Sequence, residues 1–200
     1  MTHYFINDPK VKHDRKQIVF RFLGVDYAFE SDAGVFSKDH VDPGTARLLF
    51  HIVQDVTMKN FLDLGCGYGV VAIIVKTLFP MVSVTASDIN QRAVDLTIQN
   101  ASRHNVDITT IVSDGLTDIE QTFDCIGFNP PIKVGKSKMY DLFAQCHQHL
   151  TKHGRLWLVI RKDQGAKSAI RYLATLFASV DVIDKHKGYW ILSCEMYTCK

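Results

Sequence analysis

From Phe61 onward the chain alternates short apolar runs with longer segments whose apolar residues recur every three or four positions. Short apolar runs bounded by turn signals read as buried strands, and the three-to-four spacing reads as helices. The pattern predicts strands at Phe61–Leu64, Val82–Ala86, Ile108–Val112, Phe123–Phe128 and Arg155–Ile160. Helices are expected near Val70–Phe79, Gln91–His104, Met139–Leu150 and Ala166–Phe177, the third with Tyr140, Phe143, Ala144 and His147 on one face. Alternation of this kind builds right-handed crossovers around a parallel sheet covered on both faces. Val180–Ile183, a turn at Lys185–Gly188 and Tyr189–Tyr197 then form a hairpin, which makes one late strand antiparallel. The expected fold class is α/β, with a seven-stranded, mostly parallel sheet that carries one antiparallel strand in a C-terminal hairpin.

The first part of the chain has a different rhythm. Ile18–Phe22 and Tyr27–Phe29 flank the turn signal Leu23-Gly24-Val25-Asp26 and predict an N-terminal β-hairpin. A polar loop follows from Ser31 to Thr45, punctuated by Gly34, Pro43 and Gly44. A helix then carries Leu48, Leu49, Ile52, Val53 and Val56. With no repeat, low-complexity segment or linker in view, one domain is expected over residues 1–200: a hairpin and loop extension at 1–44 and a core at 45–200.

Composition narrows the function classes only slightly. Of 200 residues, 46% are hydrophobic and 22% charged, the balance of an ordinary globular protein. A net charge of +2 and a pI near 8.2 are too mild to point to nucleic acid, so a basic footprint has to come from local clustering. No apolar run reaches the roughly 18 residues of a membrane span, and the polar N-terminus lacks a signal-peptide core, so no membrane partner is expected and the cytoplasm is the default compartment. The five cysteines are scattered without a C-x-x-C pair, which argues against a disulfide framework or thiolate zinc site. His149 and His153 have helical metal-ligand spacing but no acidic or sulfur partner nearby, so no metal is expected.

The chemistry concentrates where the predicted strands end. The first parallel strand runs into Asp63-Leu64-Gly65-Cys66-Gly67-Tyr68-Gly69 and a helix follows. Glycines there allow a tight turn and the close approach of a ligand. The third glycine comes two residues after the second, not three as in the dinucleotide fingerprint. Asp63 would repel a pyrophosphate and welcome an ammonium, which disfavours a nicotinamide cofactor. Asp88 closes the second strand and can accept both hydroxyls of a ribose; Asp114 closes the third and can accept from the exocyclic amine of adenine. Each acid alone also reads as a helix cap or a turn residue. Together with the glycine loop, at the strand edge where open α/β sheets bind ligands, they describe a site for S-adenosylmethionine.

DLGCGYG, SDIN, VSDG and NPPI, in this order and spacing, resemble the class I S-adenosylmethionine-dependent methyltransferases, whose Rossmann-like sandwich is thereby implied. The upstream SDAGVFSKDHVDPGTARLL and the downstream RKDQGAKS and KGYWIL narrow the resemblance to the "methyltransferase small" group, which includes small-subunit ribosomal RNA guanine-N2 methyltransferases and single-domain relatives. The resemblance implies cofactor contacts at Asp63, Gly65, Gly67, Gly69, Asp88, Ile89, Asp114, Gly115 and Asn129. It implies that Asn129-Pro130-Pro131-Ile132 acts on an amino group attached to a planar ring or amide.

The physical chemistry of that motif is consistent with this role. The Asn129 side-chain oxygen and the Pro130 carbonyl can each accept one N–H of an NH₂ group, and two prolines fix the loop and offer no competing donors. The same tripeptide also reads as a rigid strand-ending turn. Ile132 stands where adenine-directed enzymes of this type carry an aromatic residue, which weakens an adenine reading and is compatible with guanine. Phe36 can supply aromatic surface from the GVFSKD loop, or anchor that loop in the core. Lys38 in the same loop, Lys133, Lys136 and Lys138 after the fourth strand, and Arg161, Lys162, Lys167 and Arg171 after the fifth are expected to form a basic, RNA-tracking rim, or else are simply solvated. The expected activity is methylation of an exocyclic amine, foremost guanine-N2 of ribosomal RNA or a ribosomal particle. Adenine or protein glutamine remain as other substrates, and a non-catalytic cofactor-binding ribosome-assembly module as another class.

Overall fold

The computed structural model describes residues 11–55, 57–131 and 134–196. Val56, Ile132, Lys133, Tyr197 and Cys199 lie outside these residues, and with them two of the proposed site positions, Ile132 and Lys133.

Strands β1 (Lys16–Phe22) and β2 (Val25–Ser31) form the N-terminal hairpin, paired from Lys16↔Ser31 to Phe22↔Val25. Its turn is only Leu23-Gly24, both at positive φ (49° and 84°). Two left-handed residues match the twist of the flanking strands, so Val25 and Asp26 join β2 instead of the turn. Helix α1 (Pro43–Ile52) begins with Asp42 as N-cap, whose side chain accepts from the Thr45 backbone N–H, and Pro43 sits in the first turn where its missing donor costs nothing.

The remaining elements are β3 (Asn60–Leu64), α2 (Val70–Leu78), β4 (Ser83–Asp88), α3 (Gln91–Arg103), β5 (Thr109–Val112), β6 (Phe123–Phe128), α4 (Lys136–Gln148), β7 (Leu150–Arg161), α5 (Ala166–Leu173), β8 (Ser179–His186) and β9 (Tyr189–Glu195). They build a seven-stranded sheet in the order β5-β4-β3-β6-β7-β9-β8, with β9 antiparallel to both neighbours. The chain leaves β3 toward β4 and β5, then returns to place β6 on the other side of β3. This reversal opens a crevice at the carboxyl ends of the central strands. In β3 the period of two is plain: Phe61 packs in the apolar cluster on one face, and Leu62 and Leu64 in the cluster on the other.

Helix α4 departs from expectation. Its buried residues are Leu142, Phe143 and Cys146. Tyr140 stacks on Tyr172 at 4.0 Å and His147 meets the edge of Phe177 at 5.2 Å, so part of the expected apolar stripe packs toward α5 and the segment after it. His149 hydrogen-bonds the carbonyls of Gln145 and Ile119, which closes the helix end, and among the described residues no three His, Cys, Asp or Glu converge as a metal cluster.

The hairpin is held to α3 by side chains. Asn100 accepts from Glu30 N (2.7 Å) and donates to the carbonyls of Glu30 and Tyr68 (2.9 Å each). Arg92 donates to the carbonyls of Ala33 and Val11, and Asn90 to that of Gly34. The loop after β2 is thereby drawn over the crevice. Gly44, in the first turn of α1, lies so close to β9 that a Cβ there would fall 2.6 Å from the Tyr189 ring and 2.8 Å from Asp42 Oδ2. Helix propensity alone favours Ala over Gly by about 1 kcal/mol, whereas overpacking costs about 1–3 kcal/mol. Gly44→Ala is therefore expected to destabilise the protein in chemical denaturation; a gain in stability would contradict this packing.

Candidate active site

The crevice at the strand ends holds a cavity of about 300 Å³. Its floor is the glycine loop between β3 and α2. Gly65 and Cys66 donate their N–H groups to Ser87 O (2.8 and 2.9 Å), which ties the loop to β4. Gly69 has φ +88°, and a Cβ there would meet Thr97 at 2.9 Å, so both conformation and space require glycine. The Cys66 thiol is buried beside Thr97 Oγ1 (3.5 Å), and burial pushes its pKa up.

Four aspartates line the cavity, Asp42, Asp63, Asp88 and Asp114, and among the described residues Asp63 and Asp88 have no ion-pair partner. Asp63 is 5% exposed and accepts from Ala72 N (3.0 Å). Asp88 accepts from Gly67 N (3.0 Å) and Asn90 N (2.9 Å). Burial is the main reason that Asp63 is pushed up to about 7, with the neighbouring charge of Asp88 adding to it. Burial likewise raises Asp88 to about 6 against the backbone donors that favour its charge. A cationic ligand that also brings hydroxyl donors would relieve both, which is the donor set of S-adenosylmethionine.

Ile89 and Gly115 also line this cavity, and at Gly115 a Cβ would meet Gln145 Oε1 at 2.5 Å. Asp114 stands at the rim in an ion pair with Lys138 (2.9 Å). Lys138 therefore belongs to the first cavity, away from the rim in which the sequence placed it, because the first turn of α4 swings it onto Asp114.

A second cavity of about 330 Å³ adjoins the first. Phe36, Asp42, Asn129 and Pro130 line both, and so mark the junction between them. Lys136 and Arg161 line the second cavity. Arg161 lies over the Tyr189 ring at 5.5 Å and pairs with Asp163 at 3.3 Å. Lys38 and Lys162 line neither cavity: Lys38 is ion-paired with Asp14, and Lys162 sits exposed in the turn after β7. Pro131 lines the first cavity only.

Asn129 is held by residues that the sequence did not single out. Its Nδ2 donates to Thr45 Oγ1 (2.8 Å), with Asp42 Oδ2 at 3.4 Å. Tyr189 donates its hydroxyl to Asp42 Oδ1 (3.1 Å). With the amide nitrogen turned toward two acceptors, Oδ1 is the atom that Asn129 offers to a donor. The stretch Asp42-Pro43-Gly44-Thr45 is legible locally as a helix start, but nothing local marks its link to a residue 87 positions later.

A sequence profile of the Methyltransferase small domain matches residues 26–193. The chain belongs to the methyltransferase small family. It is 38% identical over 196 residues to the uncharacterized protein YbxB of Bacillus subtilis (strain 168), covering 96% of this chain and 98% of that one. It is 34% identical over 152 residues to the Ribosomal RNA small subunit methyltransferase C of Pseudoalteromonas translucida (strain TAC 125), covering 74% of this chain and 42% of the relative. Among solved structures, it superposes on the T. Thermophilus 16S rRNA N2 methyltransferase RsmC, in complex with AdoMet and guanosine, with a TM-score of 0.82 at 22% identity, covering 95% of this chain and 52% of the other. The chain thus spans about half the length of these two ribosomal RNA enzymes and nearly all of YbxB. Methyltransferase small members use S-adenosylmethionine, and the Rossmann-like fold of this chain is that of these methyltransferases.

Proposed function

We propose that the chain transfers the methyl group of S-adenosylmethionine to an exocyclic amine, and that its substrate is guanine-N2 of ribosomal RNA. What carries this reading is the junction at Asn129: Asn129 and Pro130 line both a cavity of about 300 Å³ and an adjoining one of about 330 Å³, with the Asn129 amide nitrogen tied to Thr45 and its oxygen left to accept. The relationship to the small subunit methyltransferases C supports the choice of RNA.

In this reading Asp63 receives the ammonium of the cofactor, Asp88 the ribose hydroxyls and Asp114 the adenine amine, after release from Lys138. The glycine loop brings backbone close to the ligand. When bound, the cofactor supplies an electrophilic methyl on a sulfonium. Asn129 Oδ1 and the Pro130 carbonyl each accept one N–H of the target amine, hold its nitrogen in line and stabilise positive charge as it develops. Held by Asn129 and Pro130, the amine would gain the methyl, with the C–S electron pair left on sulfur, and would then lose its acidified proton to solvent. Phe36 provides apolar surface at the junction, and Lys136 and Arg161 lie on the substrate side, where phosphates would pass. To reach this depth the base must be unpaired or flipped out.

The test is transfer of labelled methyl to unmodified small-subunit ribosomal RNA and particles, with digestion to nucleosides and mass spectrometry, alongside DNA and protein extracts. N2-methylguanosine is the expected product. Label in another nucleoside or in glutamine would replace the substrate, and no transfer despite tight cofactor binding would overturn the enzymatic reading. Independently, Asp88→Ala is expected to weaken S-adenosylmethionine by about tenfold to a hundredfold, from loss of hydrogen bonds to a charged acceptor. An unchanged dissociation constant in equilibrium dialysis would refute its ribose role.

A further inference from the structure

Of the four residues at the junction of the two cavities, Asp42 helps to orient Asn129 but meets no atom of the substrate in the transfer described above. As an N-cap it needs one oxygen, and Ser, Thr or Asn would serve that purpose. The second oxygen, Oδ1, accepts the Tyr189 hydroxyl at 3.1 Å. No cation lies within ion-pair reach of Asp42 among the described residues. The carboxylate is nonetheless held firmly: Thr45 N donates to Oδ2 at 2.8 Å, Thr45 Oγ1 and Asn129 Nδ2 stand at 3.4 Å, and the missing Cβ of Gly44 lets the Tyr189 ring press against this turn. A carboxylate has sites for about four donors, so Oδ1 retains acceptor capacity toward the cavities it lines.

We propose that Asp42 selects the target base by accepting the ring N–H that adjoins the methylated amine. This inference rests on the methyl-transfer reading above and sharpens its substrate. Guanine presents N1–H directly beside its NH₂, two donors in a row. Adenine and cytosine place a bare ring nitrogen beside the amine, and a glutamine side chain places a carbonyl oxygen there. A carboxylate adjoining Asn129 complements the first and faces a lone pair in each of the others. Discrimination by a site built for a hydrogen bond is large, because the wrong substrate leaves its buried polar group unpaired. Asp42 thus assigns guanine among amine-bearing substrates, and Asn129 with Pro130 takes the amine itself.

The experiment compares guanine with 2-aminopurine, which keeps the C2 amine and lacks N1–H. Binding of guanosine and 2-aminopurine riboside is measured on the full chain loaded with S-adenosylhomocysteine, and transfer is measured on RNA carrying either base at the methylated position. The wild type is expected to prefer guanine by about a hundredfold or more. Asp42→Asn keeps the helix cap but can donate to the bare N1, so its preference is expected to collapse to within a few-fold. Asp42→Ser, which also keeps the cap, should lose the preference as well, and melting temperature and cofactor affinity verify that both variants fold. A guanine preference that persists in the folded variants would overturn the role of Asp42, as would a wild type that uses both bases equally. Failure of the wild type to methylate RNA or bind either nucleoside would instead overturn the methyl-transfer reading itself.

Discussion

Asn129→Ala is expected to lower the rate of methyl transfer by about a hundredfold to a thousandfold while S-adenosylmethionine affinity stays within a few-fold. Removing one preorganised polar group aimed at developing charge carries a cost of that order. The exocyclic amine is a poor nucleophile because its lone pair is delocalised into the ring, and acceptors on its N–H bonds help it pyramidalise. Truncation at Asn129 takes away one such acceptor and leaves Thr45 Oγ1 without the donor it now receives at 2.8 Å. Two of the carboxylates lining the first cavity, Asp63 and Asp88, bond to the backbone of Ala72, Gly67 and Asn90, none of which depends on the Asn129 side chain. Single-turnover rates and a separate binding isotherm read the two effects apart. Unchanged turnover would sink the mechanism, and a parallel collapse of cofactor binding would make Asn129 a cofactor residue first.

Cofactor affinity is expected to fall by two to three orders of magnitude between pH 8 and pH 5. Asp63 at about 7 and Asp88 at about 6 both stand above the unfolded value of 3.8. Each proton that binding must expel weakens affinity by about tenfold for every unit below the relevant pKa. Below pH 6 two protons compete with the ligand, between 6 and 7 mainly one, and above 7 neither. Stability of the cofactor-free protein responds with the opposite sign. Its folded state binds more protons than the unfolded chain between about pH 4 and 7, so the contribution of these two groups is fully present below the unfolded value and is lost as pH rises through 6 and 7. Calorimetry in two buffers of different ionisation heat counts the protons released on binding. A dissociation constant that is flat from pH 5 to 8 would show that these carboxylates do not meet the ligand in ionised form.

The legible part of this molecule is the part whose chemistry is local. The glycine loop, Asp63, Asp88 and Asn129-Pro130 each sit beside the strand that positions them, and a period of two or of three to four announces those strands. Phe36, read as either site or anchor, lines both cavities. What escaped depends on partners distant in the chain. Lys138 is one of several lysines in a loop until α4 delivers it to Asp114, and Lys38 is one more until Asp14 claims it. Asp42 and Thr45 read as a helix start; only the sheet order brings Asn129 from β6 and Tyr189 from β9 to meet them. The strand count and the antiparallel partner were readable from the pattern. The two-residue hairpin turn and the early start of β7 at Leu150 were not, since positive φ at Leu23 and an irregular register near Cys125 leave little trace in side-chain type.

The insertion of β9 between β7 and β8 sets a problem in time. During synthesis β8 appears first, and a strand that follows β7 through helix α5 has the default option of pairing with it in parallel. That pairing must be avoided or undone before Tyr189 can reach Asp42. The chain carries two devices suited to this. Lys187 and Gly188, both at positive φ (46° and 84°), close β8 onto β9 in a tight local hairpin that can form before any docking. Strand β8 is largely exposed and charged through Asp181, Asp184 and Lys185, with a register shift between Val182 and Asp184, whereas β9 buries Ile191, Leu192 and Cys194. The apolar strand of the pair takes the place beside β7, and the bulged, charged one is left as an edge suited to resist further pairing. The docking of β9 beside β7 therefore does two things at once: it extends the sheet and it brings Tyr189 to Asp42 at the junction of the two cavities.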